Sequence, residues 1–190
     1  VPQAHAALVA GRWERSKWEG VELADKTLGI IGLGRIGNLV AQRAAAFGMH
    51  LIAYDPFVSP EAAKKANVEL VDLETLVSTA DFLTLHLAKT PETAGLIGKD
   101  LLAKAKPTLR VINVARGGIV DEAALAEAAR EGRIGGAAVD VFDVEPTTES
   151  PLFDVPSIIV TPHLGASTAE AQDKAGVSIA EQVGLALAGE

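Results

Sequence analysis

Residues Lys26-Thr27-Leu28-Gly29-Ile30-Ile31-Gly32-Leu33-Gly34-Arg35-Ile36-Gly37 decide the fold of this chain. A short apolar run, Leu28 to Ile31, ends in a G-x-G-x-x-G loop formed by Gly32, Gly34 and Gly37. The loop opens onto a helical pattern with apolar positions at Ile36, Leu39, Val40, Ala44 and Phe47. Strand, glycine loop and helix in that order predict a dinucleotide-binding turn. Gly32 turns the chain, Gly34 lets the backbone approach a pyrophosphate, and Gly37 lets the helix pack close to the strand. The first N–H groups and the positive end of the helix then hold the diphosphate. Asp55 follows Gly37 at about the 20-residue spacing of a ribose-binding acid, at the end of the run Leu51 to Tyr54. A carboxylate there accepts hydrogen bonds from the adenosine ribose and repels a 2′-phosphate, which predicts NAD as cofactor rather than NADP. Asp55 also precedes Pro56 and suits a turn, and the two roles are compatible.

Outward from this turn, short apolar runs alternate with helical patterns. Strands are expected at Thr27–Ile31, Leu51–Tyr54, Phe82–His86, Arg110–Val114, Gly136–Val141 and Ile158–Thr161. Helices are expected at Ile36–Phe47, Pro60–Asn67, Leu73–Thr79, Glu122–Glu131 and Thr168–Leu187. Ser59-Pro60 offers an N-cap with Pro at the first helical position, and Ser167-Thr168-Ala169-Glu170 reads as a capping box. The strands are continuous apolar runs, the pattern of strands buried on both faces. Strand and helix in alternation predict a parallel sheet with right-handed crossovers, hence a doubly wound α/β domain of the Rossmann type.

Composition bounds what such a domain does. The chain has 190 residues, 48% hydrophobic, with a formal net charge of −8. That length predicts one domain, and that charge repels polyanions, which argues against nucleic acid or an anionic membrane as partner. No apolar run is long enough to span a bilayer and no basic-then-apolar leader opens the chain. Cysteine is absent, which removes disulfides and thiolate metal sites and fits a cytoplasmic location. No two His share metal-ligand spacing, so no catalytic metal is expected. The domain divides into an N-terminal helix and extended arm (1–26), a core (27–167) and a C-terminal helix (168–190). Val1 to Gly11 reads as a helix already in progress and the chain ends just after a helical pattern, so both ends look like cuts through something larger. The arm holds the only two tryptophans, Trp13 and Trp18, which suggests packing on a partner subunit.

Ligands of such sheets bind beyond the carboxyl ends of the strands. The loops there contain Arg116 in Asn113-Val114-Ala115-Arg116-Gly117-Gly118, Glu145 in Asp143-Val144-Glu145-Pro146, and His163 in Thr161-Pro162-His163-Leu164-Gly165. Together they form an acid/base set. His163 can exchange the proton of a hydroxyl, Glu145 can fix the tautomer of the ring, and Arg116 offers a planar fork to a carboxylate. Each also has a plainer reading: a surface charge, a loop acid, a structural imidazole. His5 and His50 read as structural or surface, while His86 at a strand end is placed to line the cleft.

Four blocks, Lys26 to Gly37, Asn113 to Asp121, Ala138 to Phe142 and Thr161 to Thr168, resemble in order and spacing the D-isomer-specific 2-hydroxyacid dehydrogenases. The last, continuing through Ala169 to Gln172, resembles the branch acting on a phosphorylated 2-hydroxy acid. The resemblance implies that Arg116 binds substrate, Glu145 orients His163, and His163 donates or accepts the proton. It further implies that Arg35 and Ile36 meet the pyrophosphate and Asp55 the ribose. Leu87, Val114, Ala115 and Arg116 would line the cofactor cleft, Asp140 would meet the nicotinamide carboxamide, and Gly165 and Ala166 would lie beside the ring. The implied partner is a small anionic 2-hydroxy acid, and the implied assembly is a homodimer through this domain. It also implies a substrate domain outside this chain. Sister dehydrogenases acting on glyoxylate or hydroxypyruvate, and NADH-sensing corepressors, share these motifs and stand as alternatives. One departure is visible: Ala88 stands where relatives commonly have Pro, which predicts a slightly looser adenine-side loop without loss of NAD binding.

Overall fold

The computed structural model describes residues 1–189. Seven parallel strands form one sheet: β1 (Thr27–Ile31), β2 (His50–Tyr54), β3 (Glu69–Leu70), β4 (Phe82–Leu85), β5 (Arg110–Asn113), β6 (Gly136–Val139) and β7 (Ile158–Val160). Their order across the sheet is β3-β2-β1-β4-β5-β6-β7. All six pairings are parallel. The order reverses between β1 and β4, and that switch point is where a crevice opens at the carboxyl edge.

Helices α1 (Pro2–Val9), α2 (Arg35–Ala46), α3 (Pro60–Lys65), α4 (Leu73–Thr79), α5 (Lys99–Leu102), α6 (Glu122–Arg130) and α7 (Ala169–Ala188) complete the chain. Alternate residues of one strand feed opposite layers, as a period of two requires. Leu28 and Ile30 of β1, with Leu51 and Ala53 of β2, pack with Ala41 and Ala44 of α2 and Ala63 of α3. Ile31 and Ile52 turn the other way, into a larger core with Leu76 and Val77 of α4, Leu102 of α5, and Ala124, Leu125 and Ala128 of α6. Both faces are therefore covered around β1, β2 and β4. On the β5–β7 side one face is more open, with Ile112 and Ala138 half-buried and Ile159 exposed, so burial on both faces does not extend to that half.

Side-chain caps start the helices where the sequence offers an oxygen. Ser59 accepts from Ala62 N–H, Asp72 from Thr75, Asp121 from Ala124 and Thr168 from Ala171. The last of these corrects the expected capping box: Thr168, not Ser167, caps α7, which starts at Ala169. The expected arm is not wholly extended either. Arg15–Trp18 forms a turn of 3₁₀ helix, with the Lys17 ammonium 5.3 Å from the Trp18 ring centroid. Among the described residues no helix is long and apolar enough to cross a membrane.

Candidate functional site

The glycine loop joins β1 to α2, and its three glycines stand in different surroundings. Gly32 has φ +91°, and a Cβ there would lie 2.7 Å from the His86 carbonyl oxygen. A Cβ on Gly37 would collide with the carbonyl oxygen of Gly32. Gly34 is different: nothing lies within 4 Å of where its Cβ would be. Packing thus demands Gly32 and Gly37, whereas at Gly34 the missing side chain leaves open space at the head of a helix. Gly34 is also the N-cap of α2 and contributes no side-chain acceptor, so the first N–H groups of Arg35 and Ile36 have no side-chain cap. Asn38 fastens the loop, its amide nitrogen donating to the Leu33 carbonyl at 2.6 Å and to that of Gly34 at 3.1 Å. This cradle fits a dinucleotide diphosphate, with uncapped donors, room for backbone approach and a positive helix end.

Asp55 ends the strand beside the loop. Its Oδ2 accepts from Leu33 N–H at 2.8 Å and its Oδ1 from Phe57 N–H at 2.9 Å. The Phe57 bond is the turn expected of an Asp that precedes Pro56. Leu87, after β4, packs against Gly32 from across the switch point. His86 serves through its backbone, while its half-buried ring bonds Thr84 Oγ1 at 3.1 Å and burial pushes its pKa down. The Ala88 carbonyl accepts from Thr93 Oγ1 at 2.8 Å.

Beyond β5, buried Asn113 shapes the loop that carries Arg116. Its amide nitrogen donates to the Arg116 carbonyl at 3.0 Å and its oxygen accepts from Ala115 N–H at 3.1 Å. A Cβ on Gly117 would collide with the Phe142 carbonyl, so this loop lies flat against the segment leading to Glu145. Arg116 is exposed and its Nη1 donates to the Ala115 carbonyl at 2.6 Å. Val114, also exposed, faces Gly165 so closely that a Cβ on that glycine would collide with it.

Asp140, at the end of β6 and only 5% exposed, organises the next loop. Its carboxylate accepts from Thr161 Oγ1 and from the N–H groups of Leu164 and Gly165, both at 2.7 Å. Burial is the largest single influence and pushes its pKa up, but these three bonds together outweigh it and hold the group below its ordinary value. The Asp140 carbonyl accepts from His163 N–H at 2.8 Å, and His163 has φ +55°, a left-handed conformation uncommon for a side chain this large.

His163 Nδ1 and Glu145 Oε2 are 2.6 Å apart. The other oxygen of Glu145 accepts from Phe142 N–H at 2.7 Å. The His163 bond first and the Phe142 bond second hold the Glu145 carboxyl below the usual carboxylate range, so it is ionised at neutral pH and can only accept. The proton in that contact therefore belongs to Nδ1, and in the neutral ring Nε2 carries the lone pair. Arg116, Glu145 and His163 line one cavity of about 230 Å³, together with Lys89 and Asp143. A second, largely apolar cavity of about 470 Å³ shares Phe142, Glu145 and His163 with the first and is also lined by Pro146, Phe153 and Pro162.

Each residue expected at the site lies on the carboxyl edge. Gly32 to Gly37 and Asp55 stand on one side of the switch point, and Leu87, Val114 to Arg116, Asp140, Gly165 and Ala166 on the other. Lys89 and Asp143, an ion pair at 2.6 Å inside the shared cavity, were not anticipated. The available signal was a lysine three places after β4's expected end region, in a carboxyl-edge loop. Glu122 was missed too. It accepts from Asp143 N–H and Ser150 Oγ, both at 2.8 Å, and ties the Glu145 loop to the start of α6.

Fold and cradle define the class, a dinucleotide-binding domain of the Rossmann type. The chain belongs to a family within that class: residues 1–165 match the model for the D-isomer specific 2-hydroxyacid dehydrogenase, NAD binding domain. It is 57% identical over 190 residues, its whole length, to a D-3-phosphoglycerate dehydrogenase of Mycobacterium bovis, of which it covers 36%. It is 53% identical over 189 residues to another of Synechocystis sp., of which it covers 34%. Among solved structures, the NAD-dependent formate dehydrogenase from Staphylococcus aureus in complex with NAD superposes with a TM-score of 0.87 at 34% identity, over 98% of this chain and 56% of that one. The chain spans about a third of the length of the curated relatives it matches. Its cofactor is a nicotinamide dinucleotide, NAD by the family's description.

Proposed function

We propose that this chain is the cofactor half of a D-3-phosphoglycerate dehydrogenase, which in the intact protein oxidises 3-phospho-D-glycerate to 3-phosphohydroxypyruvate on the way to serine. One observation carries the chemistry: the Glu145–His163 contact of 2.6 Å, in a cavity shared with Arg116. His163 Nε2 takes the proton of the C2 hydroxyl, and the C2–H electron pair leaves as hydride. Glu145 stabilises the imidazolium that forms, and Arg116 binds the substrate carboxylate through its planar fork. Bound NAD supplies the hydride acceptor.

Asp140 positions the loop of His163, Gly165 and Ala166, with Val114 and Ala115 beside them, for the nicotinamide end. Arg35 and Ile36 take the diphosphate and Asp55 the ribose. The share of the relatives that this chain covers supports a substrate domain supplied by the rest of the protein. Trp13, 81% exposed on the arm, is the anchor we assign to a homodimer contact, and a cytoplasmic location goes with this biosynthetic reading.

The test is turnover by the full-length protein. It should reduce NAD with 3-phospho-D-glycerate, and His163→Ala should lower kcat by at least ~100-fold with little change in NAD affinity. Near-normal turnover by that variant removes His163 from the chemistry. Calorimetry on this domain should detect NAD binding, and no heat at millimolar NAD defeats the reading at its base.

A further inference from the structure

The cavity that holds Arg116, Glu145 and His163 contains a second cation that the acid/base chemistry does not use. Lys89 lies on the loop after β4, at the carboxyl edge beside the switch point, and its ammonium is 2.6 Å from Asp143 Oδ1. Three features fix the segments on which this pair sits. Gly118, two residues after Arg116, packs directly on the pair: a Cβ there would lie 2.5 Å from both Lys89 Nζ and Asp143 Oδ1. The Asp143 N–H is anchored by Glu122, so the carboxylate that holds Lys89 is on a fixed segment. The loop bearing Lys89 is tied by Thr93, which accepts from Thr90 N–H at 2.8 Å and donates to the Ala88 carbonyl.

The charges in the cavity define what it can take. Arg116 and Lys89 are opposed by Asp143 and Glu145, and Glu145 is committed to His163 and Phe142. One Arg116 nitrogen already donates to the Ala115 carbonyl. A 2-hydroxy acid with a single carboxylate needs only the Arg116 fork. An acid with a second anionic group needs another cation at a different point of the same cavity. The Lys89–Asp143 pair is exposed on both sides, and such pairs contribute little to stability, so the ammonium can change partners at small cost. A point charge on a flexible stem suits a phosphoryl oxygen, while the planar fork of Arg116 suits a carboxylate.

We propose that Lys89 is a specificity-determining residue that binds the second anionic group of a dianionic 2-hydroxy acid, and that Asp143 holds its ammonium in the cavity until that group arrives. The proposal rests on the dehydrogenase reading above and assigns to this domain part of the selection between phosphorylated and plain acids. Asp143 acts here as a positioning residue.

The experiment compares 3-phospho-D-glycerate with D-glycerate, the same acid without its phosphoryl group, using the full-length protein. In Lys89→Met the preference for the phosphorylated acid, as the ratio of kcat/KM values, should fall ~10- to 100-fold, the range for losing a hydrogen bond to a charged group. The loss should lie mainly in KM and be clearly larger for 3-phospho-D-glycerate than for D-glycerate, which loses only the charge that offsets Asp143. Lys89→Arg, which keeps the charge, should retain most of the preference. An unchanged ratio in Lys89→Met overturns the inference, as does an equal loss with both acids, which would assign Lys89 to the carboxylate. A parent enzyme that oxidises both acids without preference also overturns it and leaves the dehydrogenase reading standing. A parent that oxidises neither defeats both.

Discussion

The Asp55 carboxylate accepts the N–H of Leu33 at 2.8 Å, so the strand-end acid is already bound to the glycine loop. One side chain thereby shapes the diphosphate cradle and presents the group that would meet the ribose. Asp55→Ala removes the bonds to Leu33 and Phe57 together with the charge that repels a 2′-phosphate. NAD affinity should fall ~10- to 100-fold, and discrimination against NADP should narrow, because the variant loses a contact to one cofactor and a repulsion toward the other. Calorimetric titration of both cofactors checks this, and equal losses for the two would mean that Asp55 acts only on the loop.

The glycines offer a sharper separation of folding from binding. Gly37→Ala drives a methyl into the Gly32 carbonyl, where backbone meets backbone and nothing can rotate away. It should cost about 2–4 kcal/mol of stability, in the range of strained core substitutions. Gly34→Ala enters empty space, so its unfolding free energy should stay within about 1 kcal/mol of the parent. Yet that methyl occupies the room a diphosphate needs, and NAD affinity should fall at least ~10-fold. Denaturant unfolding and cofactor titration of the two variants should give opposite rankings.

Much of this architecture is legible because its signals are local. The cradle is contiguous, and β1 runs from Thr27 to Ile31 as its apolar run implies. Strands β5, β6 and β7 end one or two residues before the expected Val114, Val141 and Thr161, because those residues belong to the site loops rather than to the ladder. The expected helix Pro60–Asn67 stops at Lys65, with Asn67 at φ +55°. β3 has two residues and α5 one turn, too short for any period to show. Arg116, Glu145 and His163 are recognisable one by one, but their convergence depends on Gly117 against Phe142 and on Asp140 gathering the His163 loop. Those contacts have no signature in sequence spacing, and neither does the pairing of Lys89 with Asp143.

Glu145 holds two donors at once, Phe142 N–H on one oxygen and His163 Nδ1 on the other. In Glu145→Gln the carbonyl oxygen satisfies Phe142 and the amide NH₂ is then directed at the ring. Nδ1 must become an acceptor, the proton moves to Nε2, and the lone pair that takes the hydroxyl proton is lost. The full-length variant should lose ~100-fold or more in kcat while keeping NAD affinity and fold. Wild-type kcat in this variant would show that the carboxylate does not set the tautomer.

Acid should weaken the site as its two carboxylates take up protons. Asp140 and Glu145 both have pKa values below their ordinary ones, so each adds stability that is present above the unfolded value, about 4. That contribution is lost only as pH falls through the lower folded values. Melting temperature should consequently be insensitive to these two groups between pH 7 and pH 5 and should drop below about pH 4. In Asp140→Asn the donors Leu164 N–H and Gly165 N–H share one carbonyl oxygen instead of two carboxylate oxygens. At pH 7 this should cost about 2 kcal/mol, or roughly 4–8 °C in Tm for a domain of this size. The gap between variant and parent should shrink as the pH is lowered, since the parent then loses by protonation what the variant lacks already. Thermal melts of both proteins from pH 7 to pH 3 measure that gap directly, and a gap that stayed constant with pH would mean that the Asp140 charge is not what gathers the His163 loop.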